Sequence, residues 1–297
     1  MRASADPLLI TGGSGFIATA LIAALAPTWN LRVSGRGNDR NDRAFAVGEL
    51  GRGADWARAL DGAVTVVHLA GPAHAALPKD VIRRGIADGT AELVEEAARA
   101  GVRRFIYVSS IKAAADVTEG KPVSEDDAPR PADVYGRAKL EAEQIVMSRT
   151  ALAPVVLRPP LVYAPHAKGN FAKLLRWLDT DMPLPFAGVH NRRSLIALSS
   201  CVDAIAAVLG HENAPSGVFH LADEPALSTA ELAALLRRGM GRSARLFALP
   251  GFAALGPAPL VRSLEVDASR FRAAFGHAGL DTREALVACG RAWRESH

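Results

Sequence analysis

Residues 8–25 read LLITGGSGFIATALIAAL, an apolar run that breaks into glycines and then resumes for the length of a helix. Residues 8–11 suit a short buried strand, and residues 15–25 suit a helix. Between them, Gly13-Ser14-Gly15-Phe16-Ile17-Ala18 fits the pattern G-x-G-x-x-G/A, and Gly12 adds a second spacing, G-x-x-G-x-x-A. Glycines permit a tight turn, and the N–H groups that open the helix can then approach a pyrophosphate. Ala18 still allows close packing of helix on strand. A glycine match is weak by itself, but a preceding apolar strand and a following helix are the context that supports it. The stretch predicts a nucleotide-binding α/β unit rather than a turn that binds nothing.

The rest of the chain continues the alternation. Candidate strands fall at 31–34, 44–47, 64–69, 104–109, 155–158 and 218–221, several of them apolar almost throughout, as strands covered on both faces are. Helical candidates lie between them at about 54–60, 89–100, 134–148 and 199–209. This order predicts an α/β fold, a Rossmann doubly wound parallel sheet of about seven strands. Beyond Pro165 the pattern loosens, with helices near 170–178, 228–239, 267–275 and 281–294. We expect a nucleotide-binding domain over 1–165, to which segments at about 195–224 return. A smaller, discontinuous lobe for the substrate would comprise 166–194 and 225–297.

With 297 residues, 49% hydrophobic and 22% charged, the chain can bury a substantial core. Its net charge of +4 is scattered, without an aromatic-interleaved basic stripe, so nucleic acid is not an expected partner. A mild positive balance suits an anionic small molecule. Cys201 and Cys289 have neither CxxC spacing nor a disulfide pattern, which fits a reducing cytoplasm. Cys201 reads as a packed thiol, and the histidines show no pairing typical of a metal site. The start MRASADPLLITGG lacks a signal-peptide layout. Residues 246–261, LFALPGFAALGPAPLV, are uncharged, but Pro250, Pro257 and Pro259 make them too broken to span a membrane. We expect them to form a loop-rich part of the second lobe, with no membrane partner.

About 20 residues after the glycine turn, an Asp or Glu usually receives a free ribose 2′-hydroxyl. Here the chain reads LRVSGRGNDR (31–40), and the window holds Ser34, Gly35 and Arg36. A carboxylate would repel a 2′-phosphate, whereas Arg36 can hold it, assisted by Arg40 and Arg43. NADP(H) is therefore favoured, with NAD(H) as the alternative if the segment is only a solvated mixed-charge loop.

VYGRAKLEAEQ (134–144) places Tyr135 four residues before Lys139 on one helical face. That spacing is common, but the preceding strand, RRFIYVSS (103–110), ends in Ser109-Ser110. Strand C-termini in such sheets face the ligand crevice. A free phenol is a poor base at neutral pH, and an ammonium 4 Å away favours phenolate by up to roughly 4 kcal/mol. Tyr135 would then exchange a proton with a hydroxyl or carbonyl oxygen, while Ser110 donates to that oxygen.

TGGSGFIA, VVHLAG, FIYVSSIK, YGRAK and LRPPLVYAP occur in the order and spacing of the extended short-chain dehydrogenases/reductases. The chain resembles their NAD-dependent epimerase/dehydratase family over nearly its whole length. The resemblance implies Ser110, Tyr135 and Lys139 as catalytic residues, with Lys139 also on the nicotinamide ribose. It implies cofactor contacts from Gly12, Gly13, Ser14, Gly15, Phe16 and Ile17, and from Arg36, Glu49 and Leu50. Leu69, Ala70, Gly71, Tyr135, Lys139 and Pro159 complete that set. Within the family the chain is similar to UDP-glucose 4-epimerase-like proteins and to 4-ketoreductases of UDP-linked 6-deoxy-N-acetylhexosamines.

By the same resemblance, Asn170 and Arg193 would bind the sugar diphosphate, with Lys112 and Arg262 as further substrate contacts. Asn170 could instead cap a helix, and each Arg could be a solvated surface residue. Ile86 stands where the family commonly has Asn, Ser200 where it has Asp or Asn, and Ala164 where it has Gly. The first expectation is an NADPH-dependent reductase of a 4-keto nucleotide sugar. Its rival is a UDP-hexose 4-epimerase with retained NAD, and a remote alternative is a non-catalytic NADP(H)-binding protein. Helices near 89–100 and 134–148 resemble those that pair in family dimers, so a homodimer is expected.

Overall fold

The structure, a computed structural model, describes residues 4–35, 44–72 and 77–297. Seven strands form one wholly parallel sheet: β1 (Ser4–Thr11), β2 (Trp29–Gly35), β3 (Ala44–Ala46), β4 (Thr65–His68), β5 (Arg104–Val108), β6 (Val155–Arg158) and, late in the chain, β9 (Gly217–His220). Their spatial order is β3-β2-β1-β4-β5-β6-β9. The order reverses between β1 and β4, and at such a switch point the connections leave in opposite directions and open a crevice. All seven candidate strands are present. Two more, β7 (Leu161–Tyr163) and β8 (Leu195–Ala197), pair separately and were not expected. At three residues each they are too short to show a period.

Helices cover both faces of the sheet. On one side α1 (Phe16–Leu25) and α7 (Leu198–Gly210) pack on a core that includes Leu8, Ile10, Ile106 and Leu157. The other side carries α2 (Ala57–Leu60), α3 (Lys79–Arg83), α4 (Gly89–Arg99) and α5 (Val134–Ser148) over Leu9, Val66, Phe105 and Val156. Alternate residues of β1 thus serve opposite cores, which is why its sequence is apolar throughout. A π-helical turn, Arg84–Asp88, joins α3 to α4. Gly85 and Gly89 allow this segment to approach: an added Cβ would lie 2.9 Å from Pro72 Cγ or 2.7 Å from Leu50 Cβ, respectively.

The remaining helices are α6 (Gly169–Leu178), α8 (Thr229–Gly239), α9 (Phe252–Leu255), α10 (Ala258–Val261), α11 (Ser269–Phe275) and α12 (Thr282–Ser296). Helices α6, α8 and α12 gather around Leu175, Leu236, Leu286 and Trp293. Gly239 and Gly290 let α8 and α12 cross closely, since a Cβ on either would lie 2.1–2.2 Å from a carbonyl oxygen of the other helix. The buried Arg237 guanidinium donates to the carbonyls of Leu178, Thr180 and Ala244 at 3.0, 2.8 and 2.8 Å. One charged side chain thereby satisfies backbone acceptors that this irregular region cannot pair within a sheet.

Candidate active site

The glycine turn occupies the crevice between β1 and β4. Gly12 has φ of +73°, and a Cβ there would lie 2.8 Å from Ala70 Cα. At Gly13 it would lie 2.3 Å from Val33 Cγ1. Helix α1 starts after Gly15 with no side-chain cap and no acidic residue in its first turn. Its first N–H groups and the positive end of its dipole are therefore unmasked towards the crevice. These features fit a dinucleotide pyrophosphate, and the cavity above them measures about 450 Å³.

Gly12, Ser14 and Gly15 line this cavity, as do Glu49 and Leu50 beyond β3 and Leu69, Ala70 and Gly71 after β4. Gly13 lies beneath it, donating its N–H to the Ser34 carbonyl at 3.0 Å. Phe16 and Ile17 are partly buried against the core, and Phe16 meets His166 edge-on at 5.5 Å. Glu49 is exposed, with Arg52 at 3.5 Å. Pro159 is buried, and its carbonyl receives the Ile111 N–H at 2.9 Å. Arg36, Arg40 and Arg43 lie outside the described residues.

Beyond β5, Ser110 caps a 3₁₀ turn (Ile111–Ala113), accepting the Lys112 N–H at 3.3 Å. Asp133 caps α5, accepting the Gly136 N–H at 2.7 Å. The glycine of YGRAK has a steric purpose, for a Cβ at Gly136 would lie 2.3 Å from the Lys112 carbonyl oxygen. Helix α5 can therefore press its first turn against the end of β5, which brings Tyr135 to Ser110. Lys139 follows one turn on, buried, its Nζ donating to the Val108 carbonyl at 3.1 Å. That Nζ lies 5.9 Å from the Tyr135 ring centroid and 4.7 Å from that of Tyr107.

The electrostatics differ from the sequence expectation. Burial pushes the Tyr135 phenol up to about 12, partly opposed by its hydrogen bond with Ser110, while Asp133 adds to the rise. Lys139 does not hold it down. Burial takes the Lys139 ammonium to about 8, opposed by Glu143. The two groups share a dry site and the ammonium is engaged by a carbonyl, so loss of hydration outweighs the lysine–tyrosine attraction.

Two buried networks behind these residues were missed from sequence. Glu143, one turn past Lys139, receives the Ser109 hydroxyl and the Arg158 guanidinium, whose Nε lies 3.0 Å from Oε1. Arg158 also donates to His220 Nε2 at 3.3 Å, and His220 Nδ1 donates to the Val123 carbonyl at 3.3 Å. Burial, aided by the Arg158 charge, pulls the His220 imidazole down to about 4. Positions 135, 139 and 143 recur every four residues, so a carboxylate on that inward face was the available signal.

The second network lies under the glycine turn. The Ile86 carbonyl only accepts, so Thr90 donates to it at 2.5 Å and receives His68 Nε2–H at 3.1 Å. His68 Nδ1 then accepts from the Thr11 hydroxyl at 2.7 Å. Thr11 Oγ1 accepts the N–H groups of Leu69 and Ala70, both at 3.1 Å, which fixes one wall of the crevice. Ile86 itself is buried, so its side chain supplies no polar group where the family commonly has Asn.

The substrate candidates are less uniform. Lys112 is already paired with Asp133 and with Asp116, the latter at 3.2 Å. Asn170 is exposed within the first turn of α6, after the N-cap position at Lys168, so it is not the cap. Arg193 is partly buried and donates to the Arg262 carbonyl at 3.0 Å. Burial lowers its pKa, and no carboxylate within 4.0 Å offsets it among the described residues. Arg262 is exposed beside it at the end of α10.

A family model, "NAD dependent epimerase/dehydratase family", matches residues 8–222. The chain belongs to this family. It is an NAD(P)-dependent nucleotide-sugar epimerase/oxidoreductase with the seven-stranded sheet and glycine cleft described above. The epimerase/dehydratase chain is 34% identical to UDP-glucose 4-epimerase of Vibrio cholerae over 239 residues, 76% of this chain and 73% of that protein. It is 23% identical over 256 residues to N-acetyl-alpha-D-glucosaminyl-diphospho-ditrans,octacis-undecaprenol 4-epimerase of Escherichia coli, covering 82% of this chain and 76% of the other. In fold it is similar to UDP-glucuronic acid 4-epimerase from Bacillus cereus in complex with NAD, with a TM-score of 0.80 and 20% identity over 98% of this chain and 96% of that one. No described helix is long and apolar enough to cross a membrane.

Proposed function

We propose that this enzyme is a UDP-hexose 4-epimerase that retains NAD, and not the NADPH-dependent ketoreductase first expected. The observation that carries this reading is the placing of Tyr135, Ser110 and Lys139 at the β5 end of the crevice that suits a dinucleotide. The 4-epimerases among its relatives support epimerisation over reduction. Bound NAD would supply the hydride acceptor and its oxidised ring's positive charge. Tyr135 takes the proton of the sugar 4-hydroxyl and later returns it, and Ser110 donates to the same oxygen. The positive charge opposes the rise that burial gives the phenol. Lys139, anchored on Val108, holds the nicotinamide ribose, and Arg193 with Arg262 grips the diphosphate. We further propose a homodimer through α4 and α5.

The test supplies UDP-glucose without added nicotinamide and follows UDP-galactose by NMR while monitoring NADH absorbance. Interconversion without net NADH is expected. Stoichiometric NADPH oxidation with a 4-keto nucleotide sugar, and no epimerisation, would overturn the reading.

A further inference from the structure

Residues 247–259 form a run of thirteen without a polar or charged side chain, FALPGFAALGPAP. A run of that kind belongs in a core, yet most of it is exposed. Phe247 and Leu249 are nearly half exposed, and Leu255 is 89% exposed. Backbone pairing of Phe247 with Leu184 at 2.9 Å brings in a neighbouring segment whose Met182 is 62% exposed. Only Phe252 turns inward, packing on Phe186 at 5.9 Å. One side of the segment is thus fastened to the second lobe, and the other presents apolar side chains to solvent. Exposed apolar surface of this extent marks a contact site.

Charge indicates the partner. Residues 237–245, RRGMGRSAR, carry four arginines and no acid immediately before the apolar run. Arg237 is buried, and Arg242 is neutralised by Asp179 and Asp181, each at 2.7 Å. Arg238 and Arg245 remain exposed, and Arg245 donates to the Asp181 carbonyl at 3.0 Å. A basic stretch beside an apolar one suits anionic lipid. A second copy would instead bring a second set of the same arginines to the interface and no compensating acid from the 237–259 stretch.

We propose that residues 247–259 are a monotopic membrane contact, seating Phe247, Leu249 and Leu255 at the headgroup boundary of an anionic bilayer with Arg245 on lipid phosphate. The breaks at Pro250, Pro257 and Pro259 suit a shallow loop and not a span. The segment also leads into the substrate candidates, since the Leu260 carbonyl receives the Thr229 hydroxyl at 2.7 Å and the Arg262 carbonyl receives Arg193. The contact would therefore hold the phosphate-binding edge of the second lobe close to the membrane.

Co-sedimentation of the full chain with phosphatidylglycerol-containing vesicles and with pure phosphatidylcholine vesicles tests this without reference to turnover. Binding to the anionic vesicles is expected to exceed that to neutral ones at least tenfold. The double substitution Leu249→Asp with Leu255→Asp should reduce it at least tenfold and leave the circular dichroism spectrum and thermal midpoint unchanged. Leu161→Asp, at an exposed apolar site elsewhere, should not reduce it. A Leu255→Trp chain, folded as judged by circular dichroism, should show a blue-shifted difference spectrum with anionic vesicles. Failure of the wild-type protein to sediment with either vesicle, full binding by the double variant, or an unshifted Trp spectrum would each overturn the contact. So would loss of an oligomer as the sole effect of the double substitution, which would make the surface an interface between copies.

Discussion

The α5 edge of the sheet and the Arg193–Arg262 edge beside α10 handle charge in opposite ways. Along α5 the inward charged groups are buried with their partners: Lys139 on the Val108 carbonyl, and Glu143 between Ser109 and Arg158. At the other edge, among the described residues, Arg193 rests on the Arg262 carbonyl with no carboxylate within 4.0 Å, and Arg262 stands exposed beside it. A closed polar network keeps its geometry whether or not a ligand is present, and geometry is what proton transfer requires. A half-buried cation without a counter-charge gains its partner only when an anion arrives. In the proposed reading, the first edge performs the chemistry and the second recognises the diphosphate.

The sharpest way to break this contrast is at the phenol. Tyr135→Phe should lower turnover by on the order of 10³-fold while NAD binding, followed by fluorescence titration, stays within about twofold. Unchanged turnover would defeat the catalytic assignment. The next effect concerns stability. Glu143→Ala strands the Arg158 guanidinium in the core and should cost about 3–5 kcal/mol in urea unfolding, whereas Glu143→Leu combined with Arg158→Met should recover most of it. Equal losses from both would show that the pair matters for packing rather than charge.

A pH series sharpens the same point. The folded-state value of His220 is near 4, below the ordinary 6.5, so on acidification the unfolded chain takes the proton first. Its contribution is complete above about pH 6.5 and is lost as the pH falls to about 4, amounting to roughly 3 kcal/mol. Urea midpoints should fall over that window in the wild type and less in His220→Gln. The smallest effect belongs to the open edge. Arg193→Met should raise KM for UDP-glucose roughly 10- to 100-fold with kcat little changed, the loss of one charge-assisted contact of about 1.5–3 kcal/mol. A fall in kcat alone would place Arg193 with the reacting groups.

Much of this contrast was legible before any coordinates. The seven strands of the sheet, the glycine turn and the neighbouring positions of Ser110, Tyr135 and Lys139 follow from local patterns: apolar runs, glycine spacing and a four-residue helical repeat. All but the meeting of Ser110 with Tyr135, which the family resemblance implied, depend on residues close in the chain. The partners of those residues were not legible, because they come from far away. Glu143 meets Arg158 and, through it, His220 from the last strand of the sheet, while His68 links Thr11 to Thr90. Nor were the carboxylates of Asp116 and Asp133, which pair with Lys112, legible.

The apolar stretch at 246–261 shows the same division in reverse. Its composition was plain, and its prolines ruled out a span, but exposure belongs to the assembled lobe. By itself the sequence determined the parallel sheet and the glycine turn, and it marked the candidates for proton transfer, since these depend on residue type at short spacing. Only the tertiary structure decided how readily they ionise. Burial set Tyr135 near 12 and Lys139 near 8 against the expectation drawn from charge alone, because hydration is lost to the whole fold and not to any neighbour in sequence.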